Sequence, residues 1–237
     1  MGLPPVTAVI PAAGSGSRMA AAVPKQFLEL NGHSILDWTL TAISHTEEIT
    51  SIILVTPPED VERMTGKYVK NPRWPKISLV IAGGATRAIS VSNGVRAANT
   101  GWVLAHDAAR PFVTPALVRR TIEAALQHGA ATAALPVHDT LKMRDGDFLG
   151  QSLDRATALS IQTPQVFRVA DIITAHERLK GEGKEWTDET SLLQQAGIRV
   201  AWVPGESANM KITTQDDFRL AQIIAERSPF VKSPARI

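Results

Sequence analysis

The sequence contains no cysteine, and aromatic residues make up only 5% of its 237 positions. Without cysteine, the chain has no disulfide framework, no thiolate nucleophile and no cysteine-based zinc site. No apolar stretch approaches the roughly 18 residues of a membrane-spanning helix. No basic segment near the N-terminus leads into an apolar run. We therefore expect a soluble, cytoplasmic enzyme with no membrane partner.

The chain also lacks an excess of charge of either sign. Its 25 Lys and Arg residues nearly balance 23 Asp and Glu residues, for a formal net charge of +2. No run of Lys or Arg is longer than two residues and the five tryptophans are scattered, so we expect no nucleic-acid partner. With 44% apolar residues, the chain is long enough to bury one sizeable core.

Strand-like and helix-like segments alternate along the sequence. Short apolar runs predict strands at residues 6–10, 52–56, 77–81, 102–106, 131–136 and 200–203. Amphipathic segments predict helices at residues 35–44, 59–69, 88–98, 116–127, 169–180, 189–195 and 216–226. This alternation predicts a three-layer, Rossmann-like α/β fold with a mostly parallel sheet. Ligands of such sheets bind beyond the carboxyl ends of the strands.

Residues 138–160 break this alternation. The dipeptide Asp145-Gly146 predicts a tight hairpin turn between two short segments of mixed polarity. A lone two-stranded ribbon is marginal in water, so we expect it to pack against a second subunit. The predicted organisation is an α/β domain of residues 1–137 and 161–227, a β-ribbon dimerisation arm of residues 138–160, and a tail of residues 228–237.

The first candidate site is the loop that follows the strand at residues 6–10. Its small residues let backbone N–H groups approach a phosphate, and Arg18 and Lys25 can neutralise a polyphosphate. The residues after Gly16 do not match a Walker loop, and the dinucleotide fingerprint lacks its third small residue. Gly14 and Gly16 by themselves would favour an ordinary turn with two solvated cations.

A glycine pair, Gly83-Gly84, follows the strand predicted at residues 77–81. The pair leaves backbone N–H and C=O groups free to read the edge of a base, with Ser90 further along. Thr86 can instead cap the helix that follows, which is a purely structural role. The residues alone leave both interpretations open.

A carboxylate, Asp107, follows the strand predicted at residues 102–106, and Arg110 comes three residues later. This pair suits a metal-bound phosphate or a substrate hydroxyl, and it would also fit a structural ion pair. We interpret His106 as a packed, hydrogen-bonded histidine.

One lysine, Lys211, lies between apolar neighbours in residues 209–213, which we predict to be a short strand. Its side chain either extends to solvent or points into the cleft. Just after it, Thr214 and Asp217 have the spacing of a helix-capping arrangement.

The acidic pair Asp188-Glu189 follows Thr187 directly in the sequence. We interpret this pair as a helix cap rather than as a metal site.

Eight phrases together resemble the 2-C-methyl-D-erythritol 4-phosphate cytidylyltransferases of the non-mevalonate isoprenoid pathway, a family with the nucleotide-diphospho-sugar transferase type of fold. The phrases are PAAGSGSRM, PKQFL, GGATRAISV, HDAARPF, HDTLK, LDRATALSIQTPQVF, TDETSLLQQAG and NMKIT. The related ribitol-5-phosphate cytidylyltransferases tend toward LAGG and DAVRPF, so Ala12-Ala13, Ala109 and Asp154-Arg155 favour the erythritol family. A ribitol enzyme and a non-catalytic CTP-sensing module are the alternatives. No cyclodiphosphate synthase domain follows, so we expect a monofunctional chain.

The resemblance implies a role for each matching residue. CTP would be bound by Ala12, Ala13, Gly14, Gly16, Gly83, Ser90 and Ala108. The catalytic residues would be Arg18, Lys25, Lys211 and Asp107. Methylerythritol phosphate would be bound by Arg110, Thr140, Arg155, Thr163 and Thr187. In a homodimer, the arm would carry Thr140 and Arg155 to the partner's site. Mg²⁺, or another divalent cation, would be held mainly by the CTP phosphates.

Two positions depart from the family pattern. Many members carry an acidic residue where Ala85 stands, and some carry aspartate where Ile89 stands. We expect backbone atoms near the glycine pair to recognise cytosine.

Overall fold

The computed structural model describes residues 2–14, 24–179 and 186–228. Within these ranges the elements in chain order are β1 (Val6–Pro11), β2 (Glu29–Leu30), β3 (His33–Ser34), α1 (Ile35–Ser44), β4 (Ile49–Thr56), α2 (Val61–Tyr68), β5 (Ile77–Ala82), α3 (Arg87–Arg96), β6 (Trp102–Ala105), α4 (Pro115–His128), β7 (Ala130–Pro136), β8 (Leu141–Asp145), β9 (Phe148–Leu153), β10 (Leu159–Arg168), α5 (Val169–Arg178), α6 (Glu189–Gln195), β11 (Ala201–Pro204) and α7 (Gln215–Arg227).

The central sheet has seven strands in the order β11-β7-β10-β6-β1-β4-β5. Strand β1 pairs in parallel with β4 and β6, β5 pairs in parallel with β4, and β11 pairs in parallel with β7. Strand β10 is antiparallel to both of its neighbours. The predicted mostly parallel α/β sheet is therefore confirmed.

Alternate side chains of the central strand β1 enter two separate cores. Ala8 and Ile10 pack in the core beneath α1, α2 and α4, whereas Val9 packs in the core beneath α3, α5 and α6. Side chains of a strand point alternately to the two faces of its sheet, and here each face is covered by helices. This arrangement gives the three predicted layers.

Five predicted helix starts have a side-chain cap. The capping residues are Ser34, Thr86, Thr114, Asp188 and Thr214. Thr214 and Asp217 form a reciprocal capping box at the start of α7. No helix in the described part of the chain is long and apolar enough to cross a membrane.

Strand β10 is an element that the sequence analysis missed. The predicted arm includes Leu159 and Ser160, but these residues pair with Pro136 and Leu135 of β7. The pairing shifts register between Ile161 and Gln165, around a proline that ordinarily argues against a central strand. Gln162, Thr163 and Gln165 are polar but buried, so this strand does not form an apolar run in the sequence.

The strand predicted at residues 209–213 is wrong. This segment has no strand structure, although the Ile212 N–H donates to the Ala109 carbonyl at 2.9 Å. The Asn209 carbonyl accepts a hydrogen bond from Arg110 Nη1 at 2.8 Å. Both partners lie in the loop after β6, so no strand ladder can extend from these contacts.

The predicted hairpin is present as a separate two-stranded sheet of β8 and β9. Asp145 pairs with Phe148, so the two-residue turn is Gly146-Asp147, one residue later than predicted. Gly146 has a φ of +56°, a conformation that favours glycine. The side chains of Phe148 and Leu149 are about four-fifths exposed, at 79% and 81%. The role of this hairpin in dimerisation stays a prediction.

Gly94 of α3 provides a test of the packing between this helix and the sheet. A Cβ at Gly94 would collide with the Val9 side chain and lie 3.3 Å from Val55 Cγ2. We expect Gly94→Ala to lower the free energy of unfolding by a net ~1–2 kcal/mol, because an overpacking cost of about 2–3 kcal/mol exceeds a helix-propensity gain of about 1 kcal/mol. Urea unfolding measures the change.

Gly66 of α2 is the matched control, since a Cβ there would meet nothing within 4 Å. Gly66→Ala should raise the free energy of unfolding by roughly 0.4–1 kcal/mol. A Gly94→Ala protein as stable as the native chain would contradict the close packing of α3.

Candidate active site

A cavity of about 480 Å³ lies at the carboxyl ends of the parallel strands, where the sequence predicted a ligand site. The loops after β1, β5 and β6 all contribute to its lining. Among the residues that the structure describes, eight predicted site residues line it: Ala12, Ala13, Gly14, Lys25, Ser90, Asp107, Ala108 and Lys211.

A smaller cavity of about 160 Å³ adjoins the first. Five predicted site residues line it: Asp107, Arg110, Thr163, Thr187 and Lys211. Arg87, Asp107 and Lys211 belong to both linings, so these side chains stand where the two cavities meet. Two anionic ligands bound in the two cavities would approach each other at this point.

The remaining predicted residues lie elsewhere. Thr140 and Arg155 line neither cavity, and the Arg155 guanidinium donates to the His138 carbonyl at 2.8 Å. Gly16 and Arg18 lie outside the described residues, so their predicted roles stay predictions.

Ser90 holds the glycine loop in place. Its hydroxyl accepts from the Gly84 N–H at 3.1 Å and donates to the Thr86 carbonyl at 3.0 Å. A Cβ at Gly83 would lie 2.7 Å from Ser90 Oγ and 2.9 Å from Ala13 Cβ, so this close approach requires glycine. Gly84 lines the large cavity, whereas Gly83 lines a neighbouring one of about 310 Å³. The loop thus combines the capping role of Thr86 with a backbone that faces the cavity.

Two hydrogen bonds connect residues 24–27 (PKQF) to the site. Lys25 Nζ donates to the Ile212 carbonyl at 3.1 Å, and Gln26 Nε2 donates to the Ala12 carbonyl at 2.7 Å. Gln26 is buried, and the sequence analysis gave it no role. Its amide fixes the start of the loop after β1 relative to Lys25.

Asp107 is surrounded by cations. Its Oδ1 accepts from Arg87 Nε at 2.8 Å, and its Oδ2 lies 2.8 Å from Lys211 Nζ and 3.7 Å from Arg110 Nε. Burial by itself would raise the pKa of Asp107, but Arg87, Lys211 and Arg110 outweigh burial and hold it well below its usual range. The carboxylate is therefore ionised throughout the neutral range.

Arg87 and Glu189 form a buried ion pair that the sequence analysis missed. Arg87 Nη1 lies 2.8 and 3.0 Å from the two Glu189 carboxylate oxygens, and Glu189 is only 2% exposed. The expected helix cap is confirmed at Asp188, which accepts from the Ser191 N–H at 2.9 Å. Glu189 instead faces a partner 102 positions away, which no local spacing indicates.

His106 is packed and hydrogen-bonded, as predicted. Its Nε2 lies 3.1 Å from the Arg110 carbonyl, so this nitrogen carries the proton, and Nδ1 accepts from the Thr163 hydroxyl at 3.0 Å. The Thr163 oxygen also accepts from the Asp107 N–H at 3.1 Å. Burial lowers the pKa of His106 to about 4. The neutral ring thus fixes the orientation of Thr163 and the loop after β6.

Comparison with known proteins identifies the family. Residues 6–227 match the family model described as 2-C-methyl-D-erythritol 4-phosphate cytidylyltransferase, IspD. The chain belongs to this family. A cytidylyltransferase of that name from Geobacillus kaustophilus is 39% identical over 218 residues, covering 92% of this chain and 95% of the relative.

Solved structures agree with this family assignment. The crystal structure of the cytidylyltransferase from Thermus thermophilus matches with a TM-score of 0.76 at 37% identity, over 94% of this chain and 99% of that one. The 4-diphosphocytidyl-2C-methyl-D-erythritol synthase from Anaerococcus prevotii matches with a TM-score of 0.79 at 31% identity, over 94% and 97%. The family resemblance drawn from the eight phrases is confirmed.

Because His106 is buried, the stability of the protein should depend on its protonation. Its folded pKa, about 4, lies below the value of about 6.5 in an unfolded chain, so the unfolded state binds more protons between these values. This histidine therefore reduces stability as pH falls from about 6.5 toward 4. In NMR titrations of the native protein we expect its ring signal to stay constant from pH 8 to about pH 5.

The His106→Asn variant assigns the signal by its disappearance. A titration midpoint near 6.5 for the native His106 signal would contradict the neutral, buried ring.

Proposed function

We propose that this chain transfers the cytidylyl group of CTP to 2-C-methyl-D-erythritol 4-phosphate, in the synthesis of isoprenoid precursors. The products are 4-diphosphocytidyl-2-C-methyl-D-erythritol and pyrophosphate. The observation that carries this proposal is the pair of adjoining cavities that meet at Asp107 and Lys211. Membership of the family supports the choice of substrates.

In this proposal CTP occupies the large cavity. Backbone groups at Gly84 and the neighbouring loop recognise cytosine, and the amides after β1 hold the phosphates. Methylerythritol phosphate occupies the small cavity. Hydrogen-bond donors and acceptors are available there from Asp107, Arg110, Thr163 and Thr187. Lys211 lies between the two ligands.

The proposed reaction is an in-line displacement at the α-phosphorus of CTP. A phosphate oxygen of the acceptor forms the new P–O bond as the bond to the pyrophosphate leaving group breaks. Because a phosphate dianion is already nucleophilic, no general base is needed. Lys25, Lys211 and Arg18 act by positioning two anions and by neutralising the charge that develops at phosphorus.

We assign Mg²⁺ to the phosphates of CTP, with no protein ligand named. Both oxygens of Asp107, the carboxylate that lines both cavities, are held by cations, which fits a metal carried mainly by substrate oxygens. When bound, Mg²⁺ offsets the negative charge of the leaving pyrophosphate.

We further propose a cytoplasmic homodimer in which the β8–β9 hairpin contacts the second subunit. The exposed apolar side chains Phe148, Leu149 and Leu153 support this proposal, because apolar side chains grouped on a protein surface are typical of a contact with another protein. Thr140 and Arg155 lie on either side of the hairpin and line neither cavity of their own chain. In the dimer they complete the partner's acceptor site.

Pyrophosphate release tests the proposed function against its two alternatives. The native chain should release pyrophosphate only when CTP, Mg²⁺ and methylerythritol phosphate are all present. Ribitol 5-phosphate should be a far poorer acceptor, because the residues around Asp154 match the erythritol family. Faster turnover with ribitol 5-phosphate would favour the ribitol enzyme. CTP binding without pyrophosphate release, with either acceptor, would favour the sensing module.

A mixed dimer tests the shared site. Lys25→Ala and Arg155→Ala chains should each be strongly impaired, since loss of one stabilising charge can lower kcat by ~10²–10³-fold. In the mixed dimer one site carries both lesions and the other is intact, so random exchange should restore about a quarter of the native activity.

The matched control mixes Lys25→Ala with Asp107→Asn, because both residues line the same chain's large cavity. That mixture should stay inactive. If the Arg155→Ala mixture also stays inactive after subunit exchange has been verified, Arg155 does not act in the partner's site.

A further inference from the structure

The two oxygens of Asp107 have different partners. Oδ1 faces Arg87 Nε at 2.8 Å, whereas Oδ2 faces Lys211 Nζ at 2.8 Å and Arg110 Nε at 3.7 Å. Arg87 therefore neutralises Asp107 from a side that Lys211 does not occupy. If Lys211 turns toward a phosphate, the carboxylate keeps Arg87 and Arg110 as partners.

Arg87 is itself held at a fixed position. It is the first residue of α3, and its Nη1 contacts both carboxylate oxygens of Glu189, the first residue of α6. The Arg87 side chain is 24% exposed and that of Glu189 is 2% exposed. Burial lowers the pKa of Arg87, but Glu189 and Asp107 overcome this effect and raise it, so the guanidinium stays charged. One guanidinium thus joins two helices to the loop after β6.

The cluster of Arg87, Arg110, Lys211, Asp107 and Glu189 contains more cations than carboxylates, so it can bind an anion. Three cations, Arg87, Arg110 and Lys211, surround the two carboxylates of Asp107 and Glu189. Burial raises the pKa of Glu189, so among the described residues this cluster carries at least one positive charge in excess. Lys211, the most exposed of the three cations at 36%, is the one best placed to carry that charge to a ligand. Without Arg87 the excess would disappear, and Lys211 would be the closest remaining cation to Asp107.

We propose that Arg87, anchored by Glu189, is a positioning residue that holds the Asp107 carboxylate toward the acceptor and releases Lys211 to bind the reacting phosphates. This inference rests on the proposed function, because it assigns the acceptor to the cavity beside Asp107. It adds two residues that act through Asp107: Arg87, which lines both cavities, and Glu189, which lines neither.

Loss of Arg87 should change KM for the acceptor and kcat, but not KM for CTP. In an Arg87→Met protein, Lys211 stays paired with Asp107 and the acceptor meets a misaligned carboxylate. We expect KM for methylerythritol phosphate to rise about 10-fold or more and kcat to fall by a similar factor, while KM for CTP stays within about 3-fold. A purely structural loss would lower the active fraction and leave both KM values unchanged.

Glu189→Gln separates the anchor from the positioning residue. It keeps the side-chain shape but weakens the hold on Arg87, so we expect the same pattern with smaller factors. Because both residues act through one guanidinium, the double variant Arg87→Met/Glu189→Gln should be no worse than Arg87→Met. The double variant also avoids an unpaired buried carboxylate, so it keeps the test open if Arg87→Met fails to fold.

The pH profile gives a readout that a structural role would not move. Asp107 is faced by Arg87, Arg110 and Lys211, with neutral His106 beside it in the chain and Glu189, whose pKa burial raises, on the other side of Arg87. The double variant, in which position 189 does not titrate, therefore isolates the titration of Asp107. Removal of Arg87 raises the pKa of Asp107, so the acid limb of kcat/KM for the acceptor should move to higher pH. Arg87→Lys should show a smaller shift of the acid limb than Arg87→Met, because it keeps the positive charge but loses the two-pronged contact with Glu189.

Arg96→Met is the matched control, because Arg96 ends the same helix and lines neither cavity. It should leave both KM values and the pH profile unchanged. If the native chain turns over and Arg87→Met keeps the native acceptor KM and acid limb, the positioning role is overturned and the proposed function stands. If the native chain transfers nothing to any acceptor, the proposed function fails and the positioning role fails with it.

Discussion

The buried carboxylate of Asp107 is the constraint around which the site is organised. Removing a carboxylate from water is costly, and the cost is offset only when cations with good geometry surround it. Those cations come from three separate parts of the chain: Arg87 at the start of α3, Arg110 after β6, and Lys211 in the segment before α7. The ionised Asp107 therefore requires that these three segments come together, and they do so at the junction of the two cavities.

The sheet supplies this junction. Strands β1, β5 and β6 end at one edge, so the loops that follow them form one continuous lining. Strand β10 runs the opposite way, yet its irregular stretch places the Thr163 hydroxyl beside the Asp107 N–H and His106. Buried Asn209 connects the same stretch to the segment of Lys211 by donating to the Thr163 carbonyl at 2.8 Å. Backbone contacts, rather than strand pairing, thus position the last cation of the site.

Much of the fold and of the site could be predicted from local sequence signals. Apolar runs located six strands of the central sheet, capping residues such as Thr114 located helix starts, and residues just after strands, such as Asp107, located the site. The larger failures arise where the structure depends on distant partners, whereas the hairpin turn differs locally, by one residue. Strand β10 mixes polar and apolar residues and contains a proline, so its pairing with β6 and β7 is what identifies it as a strand. The segment of Lys211 is held by a loop rather than by a strand. The pairing of Arg87 with Glu189 joins positions 102 residues apart, so neither residue has a neighbour in sequence that indicates the other.

In the proposed reaction, a nucleotide and an acceptor meet at Lys211, each in its own cavity. A crystal structure with a non-hydrolysable CTP analogue and methylerythritol phosphate measures this directly. We predict the cytosine near Gly84, the acceptor beside Asp107 and Thr163, and an acceptor phosphate oxygen roughly 3–3.5 Å from the α-phosphorus, with Lys211 Nζ between them. An acceptor bound away from Asp107, or a triphosphate turned away from Lys211, would contradict the account.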